Sequence, residues 1–208
     1  MAIYDMHQTA ALMEAVRGTR MMAPVMLAAL CGLRRGEIAA LRWRSVDLTT
    51  GTLAITESAE QTKSGVRIKG RGRTVALPKA VLEALREHRL QQVQELLRIG
   101  VRHTNESFVV AQSDGAPLRP HSLGQEWVRF LKRQKELPRI KFHNLRHSHA
   151  SHMLQANVHP KIVSERLGHS KIGITLDLYS HVMPNMQEDA ATRIDDALKA
   201  ALDQRRDR

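Results

Sequence analysis

The spacing of apolar residues changes period twice along this chain, and each change fixes the kind of element that can bury them. Leu12, Met13 and Val16, then Val25, Met26, Ala29 and Leu30, recur at helical spacing and predict helices over 7–17 and 22–31. Pro24 suits a first helical turn, where its missing N–H costs little, and Gly32 ends the second helix. A short helix over 36–41 follows, with Ile38 and Leu41 on one face. The pattern then alternates. Leu53 with Ile55, Val66 with Ile68, and Val75 with Leu77 predict three strands near 52–57, 65–69 and 73–77. Gly70 and Gly72 read as a tight turn joining the last two. From Pro78 the helical period returns in a long helix to about Ile99, with Leu82, Leu85, Val93, Leu96 and Leu97 inward. After a loop over 100–120, Leu123, Trp127, Phe130 and Leu131 mark a helix over 121–135, and further helices fall over 143–155, 160–167, 172–180 and 186–204. The pattern predicts a mainly α domain with a small three-stranded antiparallel β-sheet.

At 208 residues and 42% apolar content the chain can fill one core of ordinary size. Nothing approaches the ~18 consecutive apolar residues of a membrane span, and the first residues lack the basic and apolar pattern of a signal peptide. The single cysteine, Cys31, can form no internal disulfide and fits a reducing compartment, so the cytoplasm is the expected location. Charge points to the partner. Lys and Arg total 32 against 21 acids, a formal +11, which favours a polyanion because neutralising phosphates releases counterions. Aromatics at 3% are too few for a single-strand binder built on stacked bases, and the basic residues are spread rather than gathered on a membrane-seeking helix.

Four separated segments hold the residue types that phosphoryl transfer without a metal requires: Gly32-Leu33-Arg34-Arg35-Gly36-Glu37, Ile68-Lys69-Gly70-Arg71-Gly72-Arg73, His143-Asn144-Leu145-Arg146-His147, and Leu167-Gly168-His169 leading to Tyr179. Attack on a phosphodiester builds negative charge on the non-bridging oxygens, which two guanidiniums, Arg34 and Arg146, can clamp. The leaving 5′ oxygen needs a proton, which Lys69 at a hairpin tip can supply. A tyrosine nucleophile, whose phenol ordinarily titrates near pH ~10, must lose its proton, and a histidine assists. His143 and Arg146 share a helical face and can act on one phosphate, while His169 can donate to a non-bridging oxygen. Singly, each residue has a plainer reading: a solvated arginine, a helix-surface pair, a histidine at a helix C-terminus, a half-buried tyrosine. Of the two tyrosines, the other, Tyr4, falls in an N-terminus expected to fray.

Order and spacing add what single residues lack. Cys31-Gly32-Leu33-Arg34-Arg35-Gly36-Glu37-Ile38 resembles the first-arginine box of the tyrosine recombinases, the phage-type integrases. Phe142-His143-Asn144-Leu145-Arg146-His147-Ser148-His149-Ala150 resembles their His-x-x-Arg box. Leu167-Gly168-His169-Ser170-Lys171-Ile172, then Thr175-Leu176-Asp177-Leu178-Tyr179-Ser180-His181-Val182, is similar to the closing box that carries the nucleophile. The resemblance covers about residues 5–185. It implies a tyrosine recombinase catalytic domain in which Arg34 and Arg146 bind the scissile phosphate, His143 assists proton movement and His169 supports the transition state. It further implies that Tyr179 forms a 3′-phosphotyrosine and frees a 5′ hydroxyl with no cofactor, and that Glu37 orients Arg34 or His143. Lys69 is favoured as general acid from its place between the second and third strands, with Lys63 in Gln61-Thr62-Lys63-Ser64-Gly65-Val66 as the alternative.

The implied partner is double-stranded DNA, held by a tetramer, with no membrane and with a monomer left open for the free chain. The helix over 121–135 offers Arg119, His121, Ser122, Arg129, Lys132 and Arg133 to DNA, or simply a solvated face. Family members usually carry an N-terminal core-binding domain; here it is expected to be absent, the chain being a truncated form, a fragment or an unusually short member. The tail over 186–208 carries Ala190, Ile194, Ala197, Leu198 and Leu202 on one stripe, for docking in cis or on a neighbour. The rivals are a zinc site on His143, His147, His149 and His152, a type IB topoisomerase, and a non-catalytic DNA-binding relative.

Overall fold

The computed structural model describes residues 2–62, 65–179 and 186–206. The helices are α1 (Met6–Val16), α2 (Met22–Cys31), α3 (Arg35–Ala40), α4 (Lys79–Arg98), α5 (Pro120–Lys132), α6 (Phe142–Gln155), α7 (Pro160–Leu167), α8 (Ile172–Tyr179) and α9 (Met186–Arg206). The sheet comprises β1 (Val46–Asp47), β2 (Thr52–Thr62) and β3 (Gly65–Ala76) in that order, all antiparallel. The fold class is as expected: mainly helical, with one small antiparallel sheet. Among the described residues no helix is long and apolar enough to cross a membrane.

α2 is apolar around most of its circumference, so it sits in the middle, with Ala23, Val25, Leu27, Ala28, Ala29 and Cys31 all buried. It packs against α6, α4 and α1. α5 buries the expected stripe of Leu123, Trp127, Phe130 and Leu131, and the Trp127 indole N–H donates to the Ile140 carbonyl at 2.8 Å. α4 departs from expectation. Its buried stripe is Val81, Leu85, Gln92 and Leu96, whereas Val93 and Leu97 are 37% and 73% exposed. The helical period carries the stripe through Gln92, and the polar residue belongs there because its carbonyl accepts the buried Trp43 indole N–H at 2.6 Å.

The sheet has three strands, but not the three the alternation marked. The segment 65–69 and all but the last residue of 73–77 lie in one strand, β3, and the third partner is the two-residue β1, Val46 facing Leu53. Gly70 and Gly72 mark no turn. The register runs from Ile55 opposite Arg73 to Glu57 opposite Gly70, so two residues of β3 face the single Thr56 in a bulge. A glycine inside an alternating run signals a bulge as readily as a turn. The pairing of β2 with β3 runs on instead to Thr62 opposite Gly65.

Tyr4 is also not frayed. It is fully buried; its N–H donates to Ser148 Oγ at 2.9 Å, its hydroxyl to the Pro138 carbonyl at 2.5 Å, and His152 Nε2 donates to its carbonyl at 3.0 Å. The N-terminal segment is thereby fastened to α6.

Candidate active site

Arg34 is the N-cap of α3, placed there by the left-handed Gly32 that ends α2. Glu37, one turn on, reaches back to the Arg34 N–H at 2.8 Å and accepts Arg34 Nη1 at 2.9 Å. Its side chain has no solvent exposure. Burial alone would raise its pKa, but Arg73 and then Arg34 hold it down, to about 2, so it stays ionised. Arg73 of β3 closes on it as a fork, Nη1 to Oε1 at 2.7 Å and Nη2 to Oε2 at 2.8 Å.

The last carbonyls of α7 gather the arginines. Those of Arg166, Leu167 and Gly168 accept, in order, Arg73 Nε at 2.9 Å, Arg146 Nη2 at 2.6 Å and Arg34 Nη2 at 3.0 Å. These groups have no helical partner, and the negative end of the helix dipole favours cations there. Arg146 also donates Nη1 to the Gly32 carbonyl at 2.6 Å, tying α6 to both the α2 and α7 termini. It is 3% exposed, and burial among other cations lowers its pKa to about 9, still charged at neutral pH.

His169 follows directly. Its Nδ1 lies 2.8 Å from the hydroxyl of the buried Thr175, and burial beside Arg146, Arg34 and Arg73 lowers its pKa to about 4. Tyr179, at the end of α8, is 1% exposed in a small apolar cluster with Leu154, Val163 and Leu167. Its pKa is pushed up to about 12 by burial, against the charge of Arg146. The hydroxyl lies 2.5 Å from His147 Nδ1, and burial with the neighbouring cations lowers His147 to about 4. The neutral imidazole and the phenol share this one hydrogen bond. His143 stands edge-on to His147 with ring centroids 4.8 Å apart, and burial next to Arg146 lowers its pKa.

Arg34, His143, Arg146, His169 and Tyr179 thus come together from α3, α6, the α7–α8 junction and α8. Lys69 stands apart. It lies within β3 opposite Ser58 rather than at a hairpin tip, with Nζ 2.5 Å from the Glu60 carboxylate. The correction follows from the bulge, past which the pairing continues through Lys69 to Gly65; Lys63 lies outside the described residues. Glu60 and Ala59 nevertheless line the same open groove as Arg34, Arg35 and His143, a space of about 940 Å³ also lined by His121, Arg129, Lys132 and Lys141.

Sequence reasoning named Arg73 only as part of a basic segment and weighed His147 only as a metal ligand. Neither carries a local signal, because its partner lies on another element. The four histidines considered for zinc have different neighbours: His147 meets Tyr179 and His143, His149 meets Arg166 and His152 meets Tyr4. Among the described residues no group of three or more His, Cys, Asp or Glu is arranged to hold a metal ion.

A helical domain with this antiparallel hairpin and this gathering of arginines and histidines beside one tyrosine defines a tyrosine recombinase catalytic domain. The profile of the phage integrase family matches residues 3–186, and the chain belongs to that family. It is 32% identical over 200 residues to a XerC-like tyrosine recombinase of Caldanaerobacter subterraneus, covering 88% of this chain and 51% of that one. It is 27% identical to the ICEBs1 integrase of Bacillus subtilis, covering 83% and 48%. The chain spans about half the length of these relatives. Among solved structures, the Tn1549 transposon integrase in complex with transposon right end DNA has the same fold, with a TM-score of 0.79 at 17% identity over 93% of this chain and 66% of that one. The catalytic domain of bacteriophage HP1 integrase matches with a TM-score of 0.58 at 19% identity over 92% and 94%.

Proposed function

We propose that this domain carries out site-specific strand transfer on double-stranded DNA, with Tyr179 as the nucleophile. The observation that carries the reading is the meeting of Arg34, Arg146 and His169 at the end of α7, with Tyr179 bonded to His147 beside the groove-lining His143. Duplex DNA lies along the groove, its phosphates held by Arg35, Arg129, Lys132 and Lys141. The scissile phosphate meets Arg34 and Arg146, whose charges offset the negative charge that builds on its oxygens, and His169 donates to one of them.

Tyr179 Oη bonds to phosphorus as the P–O5′ bond breaks. The phenolic proton passes to a neighbouring imidazole, and the departing 5′ oxygen takes a proton from a hairpin lysine, Lys69 or Lys63. The products are a 3′-phosphotyrosyl link and a 5′ hydroxyl. The link keeps the bond energy, so a second strand's 5′ hydroxyl can reverse the step without ATP. A phenol that solvent barely reaches cannot touch a phosphate, so α8 shifts when DNA binds. The exposed Ile194, Leu198 and Leu202 of α9 dock on a neighbouring protomer within a tetramer on DNA.

The test is covalent trapping on a nicked suicide duplex that loses its 5′ strand after cleavage. A DNA adduct at Tyr179, absent from Tyr179→Phe, is expected. An adduct that survives Tyr179→Phe, or none from the unaltered protein with its full DNA-binding partners, would remove the proposal.

A further inference from the structure

We infer that Arg73 is a positioning residue for Arg34: it neutralises Glu37 and ties β3 to the end of α7, so that the exposed part of the Arg34 guanidinium stays turned to the groove. The inference rests on the strand-transfer reading for its consequence, though not for its geometry.

The bulge in β3 is what brings Arg73 inside. Had the pairing of Gly70 with Glu57 continued unbroken, Arg73 would have faced Ala54 and pointed away from the core. With the extra residue it pairs with Ile55, on the face shared by the buried Leu53, Ile55, Ala59 and Val75. Once there, each of its three nitrogens donates within the protein, two to Glu37 and one to the Arg166 carbonyl, and only 10% of the side chain is exposed. Arg73 is therefore poorly placed to contact DNA itself. Arg34 differs. Its side chain is 26% exposed and lines the groove.

Glu37 connects the two. Its Oε1 accepts from Arg34 Nη1 and from Arg73 Nη1. A carboxylate with no exposure must be neutralised, and the fork from Arg73 does so while leaving Arg34 a single side-chain bond to it. Without Arg73, Glu37 has Arg34 as its remaining cation. Both oxygens then turn to Arg34, which is drawn down from the groove with its charge cancelled. Behind Arg73 a second pair steadies the same turn, Arg166 Nε donating to His149 Nε2 at 3.1 Å.

The experiment compares Arg73→Gln, Arg73→Lys and the double variant Arg73→Gln with Glu37→Gln, each checked for folding by circular dichroism. Single-turnover cleavage of the suicide duplex by Arg73→Gln should fall about 100-fold, the scale of a misplaced catalytic group, with DNA affinity unchanged. Removing the Glu37 charge as well should recover about tenfold, because nothing then pulls Arg34 inward. Arg73→Lys keeps the charge without the fork and should also cleave slowly; should Arg73→Gln fail to fold, it carries the comparison. Wild-type cleavage by Arg73→Lys, or no recovery in the double variant, would overturn the inference. A second readout needs no activity. In protein labelled with 15N-arginine, the Arg34 guanidinium protons, assigned with Arg34→Lys, should exchange quickly in the parent and more slowly in Arg73→Lys, where Glu37 holds them. Unchanged exchange would overturn the positioning role even if the parent never cleaved DNA, whereas a parent without an adduct but with the expected exchange would fault only the strand-transfer reading.

Discussion

His147 Nδ1 lies 2.5 Å from the Tyr179 hydroxyl, one turn of α6 beyond His143, and this bond closes the apolar cluster in which the phenol is sealed. His147→Phe keeps a ring against Tyr179 but removes its hydrogen-bond partner, weakening the sealed position by about 1 kcal/mol. Tetranitromethane should then nitrate Tyr179 several times faster than in the parent, as read by peptide mass spectrometry. Tyr4 is buried on the far side of α6 and serves as the internal reference. Equal nitration of the parent and the variant would show that the bond does not hold the phenol.

Acid should destabilise this fold earlier than its carboxylates alone would. His149 is lowered from 6.5 to about 3, and His147 and His169 to about 4, chiefly by burial. Below pH 6.5 the unfolded chain takes up protons that these imidazoles refuse in the folded state, so stability declines as pH falls through 4 to 3. Glu37, lowered from 4.5 to about 2, adds its own loss below pH 4.5. Melting temperatures should be level from pH 6.5 to about pH 8 and drop steadily beneath pH 6.5. A melting temperature constant from pH 7 to pH 4 would contradict this.

Two glycines should respond oppositely to alanine. Gly168 caps α7 at φ +65°, and a Cβ there would stand 2.8 Å from Arg73 Nη1. Gly168→Ala should cost roughly 1–2 kcal/mol from the left-handed backbone, before counting the displaced arginine. Gly173, inside α8, has nothing within 4 Å of its would-be Cβ. Gly173→Ala should stabilise by up to ~1 kcal/mol through helix propensity. Urea unfolding of the pair measures both, and the reverse order would discredit the packing at the end of α7.

The α9 stripe offers a separable test. Ile194, Leu198 and Leu202 are 70%, 58% and 50% exposed. Deleting residues 186–208 should leave the melting temperature of the free domain unchanged while abolishing higher assemblies on DNA in sedimentation velocity. A lower melting temperature for the free domain would place the helix in cis instead.

Much of the fold is legible along the chain. The helical stripes of α2 and α5 and the order of the arginine, histidine and tyrosine segments need only local spacing. The sheet is less legible because one signal has two meanings, since Gly70 and Gly72 suit a turn and a bulge alike. α4 hides its inward face because Gln92, not an apolar residue, continues the buried stripe.

Sequence alone determined the class of fold, the family and the chemical types available to the site, because periodicity and motif spacing are properties of neighbours in the chain. It could not assign partners. Arg73 meets Glu37 across 36 positions, and His147 meets Tyr179 across 32. Which arginine faces the groove and which stays inside to hold Glu37 was decided by the bulge in β3 and the free carbonyls of α7, for burial and hydrogen-bond direction are fixed only when separate elements pack together.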